Sequence, residues 1–370
     1  MERKEKKIRV AISQGDINGV SWEILLKLFS EERILELFTP IVFGTKSAFE
    51  YWANSLSIDT QNWVSISSLS QVKEDKVNLI EVAQTREVVV EPGKPTELAG
   101  QLAFWALEEA TKCVLSGAAD LLVTGPINKS VMPKDLFPYP GHTQYLEAKA
   151  CRGDSKQSLM LMCAGDCRVA LVTDHIPLNA VSVTLTEELI TQKVKMLEQG
   201  LIQDFGIVKP RIALLALNPH AGDNGVIGRE ELELIKPTID KLFEQGHIVF
   251  GPYSADGFWA SGRVNSFDGV VAMYHDQGLA PFKTLYMDEG VNVTLGLSIV
   301  RTSPDHGTGY DIAGQGIASP TSFRQAIYTG IDILRSRRNY EWANRNPLRR
   351  VYFNKGRDDE SLDLSSEESY

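Results

Sequence analysis

Three of the six histidines share one setting: each follows an apolar run and precedes a turn. The segments are Ala170-Leu-Val-Thr-Asp-His175-Ile-Pro, Leu214-Leu-Ala-Leu-Asn-Pro-His220-Ala-Gly and Val270-Val-Ala-Met-Tyr-His275-Asp-Gln-Gly. Such runs read as strands, and in a parallel sheet the carboxyl ends of strands lie on one edge, where ligands bind. Imidazoles brought to that edge can converge on a divalent cation. Three of them with an open position make a common zinc arrangement, and neutral imidazole also suits cobalt. The competing reading gives each histidine a local task, capping a strand or bonding a nearby loop. Asp276, beside His275, is a candidate catalytic group: a further metal ligand, a proton carrier or a carboxylate that orients an imidazole. It also suits the N-cap of a following element.

A second set of residues suits anions. Gly141-His142-Thr143 opens a short helical pattern over 144–150. A helix N-terminus offers free N–H groups and a positive dipole end to phosphate or carboxylate. Lys283, Asn292 and Arg301 follow at intervals of nine residues. Asn292 sits inside an apolar strand pattern, where a polar amide needs a partner. Arg301 ends another apolar run, and a guanidinium binds carboxylate or phosphate in a two-pronged way. Three glycine-bearing turns follow strand patterns: 15–19, Thr124-Gly-Pro-Ile-Asn-Lys129, and the long stretch 305–318. None is a Gly-x-Gly-x-x-Gly or Walker motif, so a Rossmann or P-loop nucleotide site is unsupported. In 305–318 the glycines let backbone approach a ligand closely, and His306 is placed to stack on or hydrogen-bond an adenine.

The elements that must position these groups alternate between strand and helix. Strand patterns cover 8–12, 40–43, 121–123, 159–162, 169–172, 212–217, 270–274 and 291–295, most of them apolar at every position. Strands covered on both faces read this way. Helical patterns cover 22–29, 99–115, 229–244 and 322–335, and Thr186 with Glu187 and Glu188 marks another helix start. The expected fold is α/β, with largely parallel sheets and helices on both faces. At 370 residues the chain exceeds the ~250–300 that one core supports, so two lobes are expected within 1–345. The segment 346–370 loses its apolar content and is expected to be a disordered acidic tail.

A net charge of -10 argues against a nucleic-acid partner. No stretch approaches the ~20 apolar residues that span a bilayer, so no membrane role is expected. Cys113, Cys151, Cys163 and Cys167 read as reduced thiols. The expected location is the cytoplasm.

Taken in series, several motifs carry a resemblance. His306-Gly-Thr-x-x-Asp311-Ile-Ala-Gly-x-Gly resembles the adenine-side loop of isocitrate and isopropylmalate dehydrogenases. The Thr124–Lys129 turn, Gly141-His-Thr143, Leu217-Asn-Pro-His-Ala-Gly222, Met273-Tyr-His-Asp-Gln-Gly278, Gly290-Val-Asn-Val-Thr-Leu-Gly296 and Arg301-Thr-Ser-x-Asp-His-Gly307 resemble the 4-hydroxythreonine-4-phosphate dehydrogenases. The likeness runs in order from about Arg9 to Leu334. It implies two α/β/α lobes with the active site in the cleft between them, as in isocitrate and isopropylmalate dehydrogenases. It implies a homodimer whose metal site is shared at the interface. His175, His220 and His275 would hold one zinc, magnesium or cobalt ion. His142, Thr143, Lys283, Asn292 and Arg301 would bind substrate, with Asp276 and Lys283 as the catalytic candidates. His306, Gly307, Thr308 and Asp311 would bind NAD.

The implied reaction oxidises 4-phosphooxy-L-threonine to 2-amino-3-oxo-4-phosphooxybutanoate. That product loses carbon dioxide to give 3-amino-2-oxopropyl phosphate, a step in pyridoxal phosphate biosynthesis. Related dehydrogenases act on 4-phosphothreonate or 4-phosphoerythronate, and a catalytically silent ligand-binding protein is the more distant alternative. The chain departs from the family pattern at its first loop. Most members read Gly-Asp/Glu-Pro-Ala-Gly-Ile-Gly-Pro-Glu, and this chain reads Gly15-Asp-Ile-Asn-Gly-Val-Ser-Trp-Glu23.

Overall fold

The computed structural model describes residues 7–82, 88–151 and 157–346. The expected acidic tail therefore lies outside the described residues, except for its first residue. The first part of the chain forms β1 (Ile8–Ser13), α1 (Ser21–Phe29), β2 (Phe38–Gly44), α2 (Lys46–Leu56), β3 (Trp63–Ile66), β4 (Val77–Glu81), α3 (Glu97–Leu115), β5 (Leu121–Thr124) and α4 (His142–Ala150). The next part forms β6 (Leu159–Ala164), β7 (Cys167–Leu171), α5 (Val181–Thr184), α6 (Glu187–Gln203), β8 (Ile212–Leu215), α7 (Lys236–Glu244), β9 (Val249–Tyr253), α8 (Ala255–Ala260), β10 (Gly269–Ala272) and α9 (His275–Tyr286). The chain then returns with β11 (Val291–Leu295) and β12 (Val300–Pro304) and closes on α10 (Thr321–Ala343).

All twelve strands join one sheet in the order β3-β4-β2-β1-β5-β12-β11-β6-β7-β10-β8-β9. Pairing is parallel except around β11 and β6, which meet antiparallel and join β12 and β7 antiparallel. Three consecutive reversals leave the two parallel groups running in opposite directions. The sheet is covered on both faces. Val10 and Ile12 of β1 face one core, whereas Ala11 faces another. Every residue of β2 is buried. The apolar strand patterns arise from this double covering.

Helix starts follow local chemistry. Thr96 and Thr186 accept from Ala99 N–H and Leu189 N–H, capping α3 and α6. Two segments differ from expectation. The pattern at 229–244 opens as a π-helical turn, Glu231–Ile235, before α7 begins. The turn expected after β10 is the start of α9, with Tyr274 rather than Asp276 at its N-cap.

A buried ion pair ties α10 to the end of α6. Arg337 Nε and Nη2 each donate to the Asp204 carboxylate at 2.8 Å, and Nη1 reaches the Leu297 carbonyl at 3.2 Å. Both side chains are nearly sealed from water. Asp204→Ala leaves that guanidinium buried without its partner. The expected loss is about 3–5 kcal/mol, read as a lower urea midpoint at unchanged slope.

Candidate active site

Strands β7, β10 and β8 are neighbours and parallel, so the segments leaving them emerge on one edge. His175 and His275 meet there with ring centroids 5.7 Å apart. Each has a carboxylate behind it. His275 Nδ1 donates to Asp276 Oδ1 at 2.7 Å, and His175 Nδ1 lies 3.7 Å from Asp174 Oδ2. Asp174 also accepts from the His175 N–H, and these bonds hold its carboxyl well below the usual range. A carboxylate at Nδ1 orients an imidazole and leaves Nε2 for a metal. Of the tasks open to Asp276, this bond has the geometry of an orienting carboxylate. Two pre-oriented imidazoles fit a borderline divalent cation.

His220 does not join this pair. It is exposed, on a loop over Pro219–Gly225. Among the described residues no three His, Cys, Asp or Glu side chains are grouped to hold a metal.

Arg301 lies inside β12 and is 2% exposed. Among the described residues no carboxylate reaches it. Nε and Nη2 donate to Thr124 Oγ1, at 3.2 and 2.6 Å, and Nη1 donates to Thr294 Oγ1 at 3.0 Å. Burial pushes its pKa down to about 9, which still leaves a cation at neutral pH. Asn292 shares a face of β11 with Thr294, and its Oδ1 is buried without a partner. His142 Nε2 is equally unpartnered. Burial, then Arg301 and Lys129, push that ring well below its ordinary pKa, so His142 is neutral. The buried cation calls for a ligand bearing negative charge, and the two unsatisfied atoms call for hydrogen-bonding groups on it, a donor in the case of the Asn292 oxygen.

Thr143 helps line a cavity of about 200 Å³ with Glu147, Ser158, Asp174 and Lys193. This cavity joins the start of α4 to the His175 segment. Lys283 is not a free cation: its Nζ sits 2.7 Å from Asp305 Oδ1. Burial raises the Asp305 carboxyl against the pull of Lys283, and Oδ2 has no partner. Asp305 is a site residue that sequence reasoning did not single out, although it stands in the quoted Arg301–Gly307 motif.

The 305–318 loop borders a separate slot of about 160 Å³. Val20, Ile24, Ile312 and Ala318 make it apolar, and His306 and Gly307 reach it. His306 Nδ1 donates to the Gly307 carbonyl at 2.9 Å. Burial holds the ring below its ordinary pKa, so Nε2 is a bare acceptor, and it is buried without a partner. Thr308 and Asp311 do not line the slot. The Thr308 carbonyl accepts from Val20 N–H at 2.9 Å, and exposed Asp311 offers its carbonyl to Gln315 at 2.8 Å.

The altered first loop packs against this glycine segment. Tyr310 donates to buried Asp16 at 2.6 Å, and Asn128 donates to the Tyr310 hydroxyl at 3.2 Å. A Cβ on Gly19 would lie 2.4 Å from the Thr308 carbonyl oxygen, so no side chain fits there. Buried Glu23 accepts from Ala318 N–H at 2.7 Å. The departures are themselves tied down. Trp22 donates to Gln14, and Asn18 bridges Glu91 N–H and the Lys94 carbonyl.

Paired imidazoles at one strand edge, a buried guanidinium without a carboxylate partner and an apolar slot mark out the candidate site, and the relatives give its class: a dehydrogenase acting on a hydroxyl-bearing carbon. The family model described as pyridoxal phosphate biosynthetic protein PdxA matches residues 36–330. The 4-hydroxythreonine-4-phosphate dehydrogenase of Bacteroides thetaiotaomicron is 48% identical over 363 residues, 98% of this chain and 99% of that protein. The enzyme of the same name from Sulfurihydrogenibium is 41% identical, over 90% of this chain and all of that one. A crystal structure of 4-hydroxythreonine-4-phosphate dehydrogenase from Klebsiella pneumoniae aligns with a TM-score of 0.76 at 30% identity, covering 89% of this chain and 100% of its own. The chain belongs to the PdxA family.

Proposed function

We propose that this protein oxidises the 3-hydroxyl of 4-phosphooxy-L-threonine with NAD, in pyridoxal phosphate biosynthesis. The observation that carries this reading is Arg301, a buried cation with only hydroxyl partners beside two unsatisfied polar atoms. An anionic end of the substrate supplies the missing partner. His142 Nε2 and the Asn292 amide hold its polar atoms, and the start of α4 adds a positive dipole end at Thr143. Lys283 is paired with Asp305 in the free protein, and the pair offers the substrate an ammonium donor rather than a net charge.

A divalent ion, zinc or cobalt by its imidazole donors, supplies stabilisation for negative charge developing on the substrate oxygen. His175 and His275 hold it from one chain, oriented by Asp174 and Asp276. We assign the third position to His220 of the partner subunit in a homodimer. Exposed apolar side chains support that interface: Val226 and Ile227 follow the His220 loop, and Leu178 and Val183 follow His175. The two parallel strand groups serve as the two lobes, met at β11 and β6. In the slot, His306 Nε2 accepts from an adenine amino group. The oxidised product is a β-keto acid, which loses carbon dioxide.

Among the described residues no helix is long and apolar enough to cross a membrane. All four cysteines are unbridged, in keeping with work in the cytoplasm.

Tyr310→Phe removes a bond to a buried carboxyl that fixes the cofactor loop. The expected result is a KM for NAD raised about threefold to tenfold, with kcat nearly unchanged. The proposal itself is tested by NADH formation on 4-phosphooxy-L-threonine and 4-phosphothreonate in parallel. Higher kcat/KM on the amino acid supports it. Turnover of the sugar acid alone would assign the same site to sugar-acid oxidation.

A further inference from the structure

The loop that carries His220 has an unusual backbone. His220, Ala221, Gly222, Asp223 and Asn224 have φ of 52°, 51°, 77°, 43° and 54°. With Gly225 at 92°, six consecutive residues have positive φ, four of them with side chains. Each such residue costs roughly 1–2 kcal/mol, so the turn persists only if its surroundings hold it.

Backbone bonds from Val226 and Ile227 N–H close the turn at its far end, and one side chain anchors the chain that enters it. Glu231 is 3% exposed, on the π-helical turn Glu231–Ile235. Its Oε1 accepts from Leu217 N–H at 2.8 Å and Asn218 N–H at 2.7 Å, the two amides that lead into the loop. Its Oε2 accepts from Asn218 Nδ2 at 3.0 Å. Glu230 takes the other bond of that amide at 2.8 Å. The far side of the loop is fitted to the same carboxylate: a Cβ on Gly222 would lie 2.6 Å from Glu231 Oε2. Inserted π turns recur at functional sites, because the extra residue re-aims a side chain. Here the turn aims a carboxylate at the two amides that precede the histidine, and a glycine leaves room for it on the other side.

We infer that Glu231 is the positioning residue for His220 and sets the affinity of the shared metal site. The inference rests on the assignment of His220 as a metal ligand. Unlike Asp174 and Asp276, Glu231 touches no imidazole. It acts through the backbone, by stabilising a strained turn that presents the ring to the other subunit.

The test is titration of the metal-free, full-length protein with Co²⁺, following the visible absorption of bound cobalt, in wild type, Glu231→Gln, Asn218→Ala and His220→Ala. Glu231→Gln keeps one acceptor oxygen and the side-chain shape, but loses charge and turns a donor toward a donor. The expected result is cobalt affinity lower by about 10–100-fold, the range for outer-shell partners of a metal site. The melting temperature of the metal-free protein should fall by a few degrees at most, with the fold intact. Asn218→Ala removes the side-chain links to both carboxylates, leaving the two backbone N–H bonds to Glu231, and should weaken binding in the same direction by less, so the inference stays testable if Glu231→Gln does not fold. His220→Ala should lose more than either. Wild-type affinity in Glu231→Gln and Asn218→Ala, with affinity lost in His220→Ala, would overturn the positioning role and leave the ligand assignment standing. Wild-type affinity in His220→Ala would overturn the ligand assignment and the inference with it.

Discussion

Arg301→Met should lower kcat/KM for the phosphorylated substrate by about a thousandfold, while leaving the free protein as stable as wild type or more so. The two effects have one cause. In the free protein the guanidinium is buried, and its partners are the hydroxyls of Thr124 and Thr294 rather than a carboxylate. Keeping a cation there opposes folding, and an apolar side chain of similar length relieves that cost. When substrate binds, the cation meets its anionic end away from water. Removing one member of such a pair costs about 2–5 kcal/mol, and a thousandfold is about 4 kcal/mol. Arg301→Lys keeps the charge but not the fork, and should recover only part of the loss. Steady-state kinetics and thermal melts of the same samples check both halves. A destabilised variant with unchanged KM would show Arg301 to be structural.

His275→Ala should abolish metal binding at the paired-imidazole edge, with turnover reduced by about a thousandfold or more. Its ring is oriented by Asp276 and stands 5.7 Å from that of His175. Loss of one of few ligands from an exposed site leaves too little to retain the ion. Because metal and ligand act as a unit, chelator should do nothing further to the variant. Metal content by elemental analysis, alongside activity with and without chelator, gives the answer. Asp276→Asn should fall between, keeping the ligand and losing its orientation.

Much of the fold is legible in the sequence because double covering makes strands apolar at every position. Strands β1, β5, β7 and β11 and the helix capped by Thr186 lie where their patterns put them. The direction of a strand is not written in an apolar run, so the reversals at β11 and β6 become visible only through pairing. Strand β12 was hidden because Arg301 interrupts its apolar pattern. Helix α9 was hidden because Gly278 and Pro281 lower its propensity, and its burial against the sheet overrides that.

The site divides in the same way. Motifs name His142, Arg301, His175 and His275, and the structure sets His175 beside His275 and His142 near Arg301. Partners were not legible. Asp305 is identified by its bond to Lys283, and Glu231 by its bonds to the turn before His220. Both are single carboxylates in polar stretches, and only burial sets them apart. Thr308 and Asp311 were named by their motif alone, and neither lines the slot.

The most direct measurement is NADH absorbance from protein reconstituted with zinc or cobalt and given NAD and 4-phosphooxy-L-threonine. The expected result is steady NADH formation that stops on chelation and returns when metal is restored. Absence of NADH formation from a folded, metal-loaded protein, or formation indifferent to chelation, would contradict the assignment.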